Sequence, residues 1–258
     1  MAEDHSDMKA VAARALGLLD LTSLNDDDDE AAVDALCERA RGPHGPVAAV
    51  CVWPRFVAQA AKRLHGSGIK VAAVANFPAG GDDLALALSD TREIIAAGGD
   101  EVDLVMPYRR WLKGDRDFAK EMIASCKRAC GDKARLKVIL ETGSLGDSAK
   151  IYDASCDAIA AGADMIKTST GKTAVSATLE AAEAMLCAIK DTGRDVGFKA
   201  AGGIRDTAAA GDYLALADRI MGADWADPWR FRFGASGVLN DLLAVLGDGS
   251  RPAATESY

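Results

Sequence analysis

Eight short apolar runs, separated by Ala-rich segments with apolar residues at helical spacing, limit what this chain can become. The runs lie near Leu18–Ser23, Val47–Trp53, Val71–Phe77, Glu101–Met106, Leu136–Thr142, Asp164–Thr170, Val196–Ala201 and Arg230–Ser236. Between them fall segments such as Asp82–Ala97, Asp115–Cys130, Thr178–Thr192 and Asp206–Met221. Several open on a cap-type residue (Asp82, Asp147, Thr178, Asp206), and several close on glycine (Gly98, Gly131, Gly162, Gly193). Strands alternating with helices build a parallel sheet, and eight strands close one into a barrel. The pattern therefore predicts an α/β fold, a (β/α)8 TIM barrel occupying 18–246 of one 258-residue domain. An extra helix near Asp7–Leu19 is expected across the barrel's lower end, and Gly247–Tyr258 reads as a short polar tail.

Composition removes several functions. With 49% hydrophobic residues the chain can bury a full core. No apolar run reaches membrane-spanning length, and the opening MAEDHSDMKA is acidic where a secretory leader is basic. Six cysteines without a CxxC pair fit reduced thiols in a cytoplasmic protein. A net charge of −9 argues against nucleic acid and anionic membranes as partners, but leaves a small phosphorylated ligand open. The three histidines lack ligand spacing, and Asp26–Glu30 reads as a solvated helix start, so no metal is expected.

Alternation within the strands is more informative. A lysine is rarely buried without a partner, yet Lys167 and Lys199 each stand in mid-strand. If apolar residues face the helices, Leu19, Leu21, Val50, Val52, Val102, Leu104, Val138, Leu140 and Phe198 point outward. Asp20, Thr22, Cys51, Glu101, Asp103, Lys137, Glu141, Lys167 and Lys199 are then left inside. Three cations (Lys137, Lys167, Lys199) would face three carboxylates (Asp20, Asp103, Glu141) where a filled barrel is ordinarily apolar. Such a set is either a structural ion network or a reaction site. Because desolvating each ion costs several kcal/mol, a whole network is more economically explained as a site.

One chemistry suits paired lysines. An amine attacks a carbonyl only when neutral, and an unperturbed lysine at neutral pH is so roughly one time in a few thousand. Making it readily available takes about 4–5 kcal/mol. A second ammonium about 5 Å away supplies roughly 3 kcal/mol, with partial desolvation providing the rest. Strands about 4.8 Å apart meet that distance, giving Lys167 as nucleophile and Lys199 as its perturber. Asp103 is placed to move protons through a water, or serves only as a counter-ion. Cys51 faces the same space, as a reactive thiol or as a small buried residue. The turns carrying Gly171-Lys172, Gly202-Gly203 and Gly234-Ala235-Ser236-Gly237 follow strands six to eight, where such barrels hold phosphate on backbone N–H groups. Lys172 adds charge there or sits beside the lysine pair.

These residues fall in motifs that resemble the deoxyribose-phosphate aldolase family: LLDLTSLND (Leu18–Asp26), AAVCVWPRF (Ala48–Phe56), NFPAG (Asn76–Gly80), EVDLVMPY (Glu101–Tyr108), LKVILETG (Leu136–Gly143), ADMIKTSTGK (Ala163–Lys172), GFKAAGGIR (Gly197–Arg205) and FRFGAS (Phe231–Ser236). The resemblance spans nearly the whole chain. It implies a TIM barrel that reversibly cleaves 2-deoxy-D-ribose 5-phosphate to D-glyceraldehyde 3-phosphate and acetaldehyde, with no cofactor and no metal. It implies a Schiff base on Lys167, with Asp103 and Lys199 exchanging protons and Asp20 holding a substrate hydroxyl. Thr170, Lys172, Gly202, Gly203, Gly234 and Ser236 match the region around substrate and phosphate. Some members end in a tyrosine that folds over the site, which would be Tyr258 here. Gly237 departs from relatives that carry a second serine there, losing a hydroxyl but keeping the N–H. A homodimer is the expected assembly. Two other readings stay open: another lysine-dependent phosphosugar aldolase, and a phosphosugar-binding barrel without catalysis.

Overall fold

The computed structural model describes residues 2–247, with side chains from residue 7 onward. Tyr258 and the tail beyond Gly247 lie outside the described residues. In chain order the elements are α1 (Ala2–Gly17), β1 (Leu19–Thr22), α2 (Glu30–Arg41), β2 (Ala49–Val52), α3 (Val57–Leu64), β3 (Lys70–Ala75), α4 (Leu84–Ala96) and β4 (Glu101–Val105). There follow α5 (Tyr108–Leu112), α6 (Arg116–Cys130), β5 (Arg135–Ile139), α7 (Thr142–Leu145), α8 (Ser148–Ala160), β6 (Met165–Lys167), α9 (Leu179–Thr192), β7 (Gly197–Ala201), α10 (Thr207–Met221), β8 (Phe231–Ala235) and α11 (Val238–Leu246). Each strand pairs in parallel with the next, and β8 closes onto β1. The chain is a (β/α)8 TIM barrel.

Local chemistry sets the helix starts. Asp29, Asp115, Asp147, Thr178 and Asp206 each accept a hydrogen bond from a first-turn N–H. The α4 cap is Asp83, one residue beyond the expected Asp82. Asp29 caps α2 and Asp28 accepts from the Ser23 hydroxyl and the Asn25 N–H, so the acidic run is used locally. Helix α1 packs against α10 and α11, with Arg14 bonded to both oxygens of Asp218. Among the described residues, no helix is long and apolar enough to cross a membrane.

The outward half of the expected parity holds. Leu19, Leu21, Val50, Val52, Val102, Leu104, Val138, Leu140, Phe198, Phe231 and Phe233 join the core between sheet and helices. Inside the barrel a much smaller apolar group, Leu24, Cys51, Ala72 and Val74, leaves the rest to charge. Full burial of one large apolar side chain stabilises by about 1.5–3 kcal/mol, so the outer layer has ample capacity to carry a polar interior.

Two strands, β5 and β6, end three residues before their apolar runs. β6 stops at Lys167 because the hydroxyls after it take over: Ser169 Oγ donates to Ala201 O at 2.5 Å, and Thr170 Oγ1 donates to Glu141 at 2.6 Å. β5 stops at Ile139, since Glu141 adopts a left-handed backbone (φ 57°) that redirects the chain into α7.

Candidate active site

Register fixes the site before any side chain is considered. Lys167 pairs with Lys199, Asp103 with Lys137, Ile139 with Lys167, and Lys199 with Arg232. Alternation then turns all five charged side chains of these pairs to the inside. Asp103 Oδ2 accepts from Lys167 Nζ at 2.9 Å and from Lys199 Nζ at 2.8 Å, so the two amines meet on one oxygen. Its other oxygen lies 3.1 Å from Lys137 Nζ as an ion pair, without hydrogen-bond alignment.

A second tier lies beneath. Asp20 Oδ2 accepts from Lys199 (2.6 Å) and Lys137 (2.8 Å), while Oδ1 accepts from Arg232 (2.5 Å). Arg232 also donates through both terminal nitrogens to Glu101, whose Oε2 lies 2.5 Å from Lys137 Nζ. All seven groups are buried. Glu101 was read as facing inward but left out of the three-against-three count, and Arg232 and its bridge to Glu101 were not read from the sequence. The signal was present: Arg232 stands between Phe231 and Phe233, which both face outward, and Glu101 has the parity of Asp103.

Electrostatics follow from this geometry. Burial pushes the Asp103 carboxyl up, but Lys137, Lys167 and Lys199 outweigh it and hold it well below the usual range. Asp20 is likewise held down against burial by Lys137, Lys199 and Arg232, and Glu101 by Lys137 and Arg232. Burial would lower Lys199 and Lys137, yet the facing carboxylates raise both, so they stay charged. Lys199 is thus a persistent cation beside Lys167.

The remaining candidates divide. Cys51 is buried with its Sγ 4.0 Å from Asp103 Oδ2, and burial together with Asp103 pushes its thiol up. Asp20 is fully buried, with both oxygens engaged by cations. Glu141 corrects the sequence reading: it stands apart from the ion network, and its carboxylate accepts from the hydroxyls of Thr170 and Thr173 (2.6 and 3.1 Å). The left-handed backbone at Glu141 is what turns it away. Lys172 donates to the carbonyl of Leu24 at 2.8 Å, linking the loop after β6 to the loop after β1.

The glycine turns have distinct uses. A Cβ on Gly202 would meet Ser176 Oγ at 2.7 Å and Gly171 Cα at 3.3 Å, so the turns after β6 and β7 touch. The Gly202 N–H is committed to Gly234 O (3.1 Å), which leaves Gly203 as the candidate anion donor of that pair. Gly234 lies within β8 and makes room for Lys199. Gly237 is the N-cap of α11, whose start follows Ser236 at the same end of the barrel. Among the described residues no His, Cys, Asp and Glu group gathers to hold a metal ion.

Residues 14–239 match the model of the DeoC/LacD family aldolases, and the chain belongs to that family. Solved structures agree in fold. A protein of Toxoplasma gondii ME49 assigned as a deoxyribose-phosphate aldolase superposes with a TM-score of 0.85 at 23% identity, covering 94% of this chain and 96% of that one. A Coccidioides immitis protein with the same assignment gives 0.79 at 26% identity, over 93% and 95%. The tetrameric deoxyribose phosphate aldolase of Aeropyrum pernix gives 0.74 at 25%, over 92% and 91%.

Proposed function

We propose that this aldolase reversibly cleaves 2-deoxy-D-ribose 5-phosphate to D-glyceraldehyde 3-phosphate and acetaldehyde through a Schiff base on Lys167. The observation that carries the reading is the meeting of Lys167 and Lys199 on one oxygen of Asp103. Lys199 places a second ammonium beside Lys167 on the same carboxylate oxygen, and an amine in its neutral form adds to the open-chain sugar carbonyl. The carbinolamine loses water to form an iminium. Removal of the proton from the C3 hydroxyl then breaks the C2–C3 bond, and its electrons enter the iminium to give an enamine. Glyceraldehyde 3-phosphate departs, C2 takes a proton, and water releases acetaldehyde and regenerates the lysine.

Asp103, an ionised carboxylate with one oxygen lacking an aligned donor, suits the base, acting through water. Lys199 returns the proton. Asp20 acts by fixing Lys199, and a contact with a substrate hydroxyl is the second role proposed for it. Thr170 and Lys172 border the sugar, and Cys51 closes the pocket floor. The phosphate sits by Gly171, Gly203, Ser236 and Gly237, where the α11 N-terminus adds positive potential. Cytoplasmic location and a homodimer belong to the same proposal.

Acetaldehyde with borohydride, followed by peptide mapping, tests the mechanism: the reduced adduct belongs on Lys167. A Lys167→Met protein that is still trapped overturns the assignment. Retro-aldol rates on 2-deoxyribose 5-phosphate against other sugar phosphates test the substrate, and faster cleavage of another sugar phosphate overturns that part alone.

A further inference from the structure

Three turns converge at the end of the barrel proposed to hold phosphate. The Ala177 N–H donates to Ala201 O (3.3 Å), which pins the loop into α9 to the end of β7. The Gly202 N–H donates to Gly234 O (3.1 Å), which pins the turn after β7 to β8. Gly171, Gly202 and Gly203 have left-handed backbones (φ 75°, 80° and 82°), which glycine adopts without strain and which can turn successive N–H groups toward an anion. The two glycines after β7 differ in their surroundings. A Cβ on Gly202 would press on Ser176, 2.7 Å from its Oγ and 2.8 Å from its Cβ. A Cβ on Gly203 would meet nothing within 4 Å. Ser176 is therefore the wall of this turn, and open space begins one residue further on.

The hydroxyl of Ser176 has no structural task. The residue is half-buried, and its Oγ makes no hydrogen bond to any described residue. Every other hydroxyl from Thr168 to Thr178 is used. Thr168 and Ser169 donate to Ala201 O, Thr170 and Thr173 donate to Glu141, and Thr178 caps α9. Across the turn, at the start of α11, Gly237 offers an N–H and no side chain. Packing against Gly202 needs only a small residue at position 176, and alanine would serve; a hydroxyl is needed there for a ligand. We propose that Ser176 is a phosphate-binding residue, its hydroxyl donating to an oxygen of a phosphate held over Gly203. This inference rests on the phosphosugar reading above and adds to it a donor from the loop into α9. That loop then helps to tell a phosphorylated sugar from its unphosphorylated form.

Two substitutions separate the hydroxyl from the packing. Ser176→Ala keeps the contact with Gly202 and removes the donor. The preference for 2-deoxyribose 5-phosphate over 2-deoxyribose, taken as a ratio of kcat/KM values, falls about ten- to a hundredfold, the range for a hydrogen bond to a charged partner. Competitive inhibition by inorganic phosphate weakens by a similar factor. Ser176→Asp sets a carboxylate against the anion, and since like charges repel, both quantities fall further.

The experiment measures retro-aldol kinetics of the full-length chain on both sugars, with inorganic phosphate as inhibitor and folding checked by thermal melting. A ratio that falls in Ser176→Ala and falls further in Ser176→Asp, with phosphate inhibition weakened in step, is the result expected. Equal losses on the two sugars in folded variants give the residue a structural role and overturn the inference. An unchanged ratio with phosphate inhibition intact places the anion away from Ser176 and removes this inference alone. If Ser176→Ala does not fold, the same ratio in Ser176→Asp decides. A wild type that shows no preference for the phosphorylated sugar and no inhibition by phosphate removes the phosphosugar reading as well.

Discussion

Lys199 passes over Gly234 so closely that a Cβ at that position would lie 2.7 Å from its Cε. Glycine is needed here for space, not for an unusual backbone. The lysine stem could yield if it were free, but its Nζ is held by Asp20 and Asp103 from two sides. Gly234→Ala would also bring its methyl within 3.0 Å of Ala201 Cβ.

Gly234→Ala is therefore expected to displace the Lys199 amine and cost about 1–3 kcal/mol of stability, the usual range for overpacking. Turnover should fall by more than the melting temperature suggests. Steady-state kinetics beside thermal unfolding check this; a variant with normal kcat would show that Lys199 need not hold its place.

Asp103→Asn removes the shared acceptor and proton carrier while keeping the shape. The expected loss in kcat is about 10²–10⁴-fold, the range of a general acid–base group. Lys167 is still trapped by acetaldehyde and borohydride, because addition of the amine does not require the carboxylate. A variant that cleaves substrate at the wild-type rate would assign proton transfer elsewhere.

The division between outer and inner faces was legible because parity is strict in a strand: Val102 and Leu104 outward force Asp103 inward. The lysine pair was legible for the same reason, since Lys167 and Lys199 lie on adjacent strands in register. Glu141 was not, because parity ends with the strand. Nothing in the run LKVILETG announces a left-handed residue at Glu141, and the hydroxyls that hold it come from a loop some thirty residues away. Arg232 was visible between two phenylalanines, but its weight depends on Glu101 and Asp20, which only closure of β8 onto β1 brings to it.

The contact between Glu141 and Thr170 gives a prediction for the loop. Thr170→Val removes the 2.6 Å bond to a buried carboxylate and the acceptor for the Lys172 N–H. A loss of about 1–3 kcal/mol is expected, the cost of leaving a buried acceptor short of a donor. Lys172 borders the proposed sugar site, so KM should rise more than kcat falls. Equal changes in both would mean that the loop serves chemistry rather than binding.

The lower tier also sets acid stability, and the sign can be worked out. Asp20, Glu101 and Asp103 are each held below their ordinary range in the folded chain, against burial, by the facing cations. The unfolded carboxyls titrate near pH 4, so their contribution is fully present above that range and is lost as the pH falls toward the folded values. Lys137 pairs with all three carboxylates. Lys137→Met should cost about 3–5 kcal/mol at neutral pH, since it strands buried charge. It should also flatten the acid dependence, because carboxylates without that partner are depressed less. Urea unfolding of both proteins at stepwise lower pH reads the two effects together: curves that converge on acidification support the tier as the source of acid lability, and parallel curves place it elsewhere.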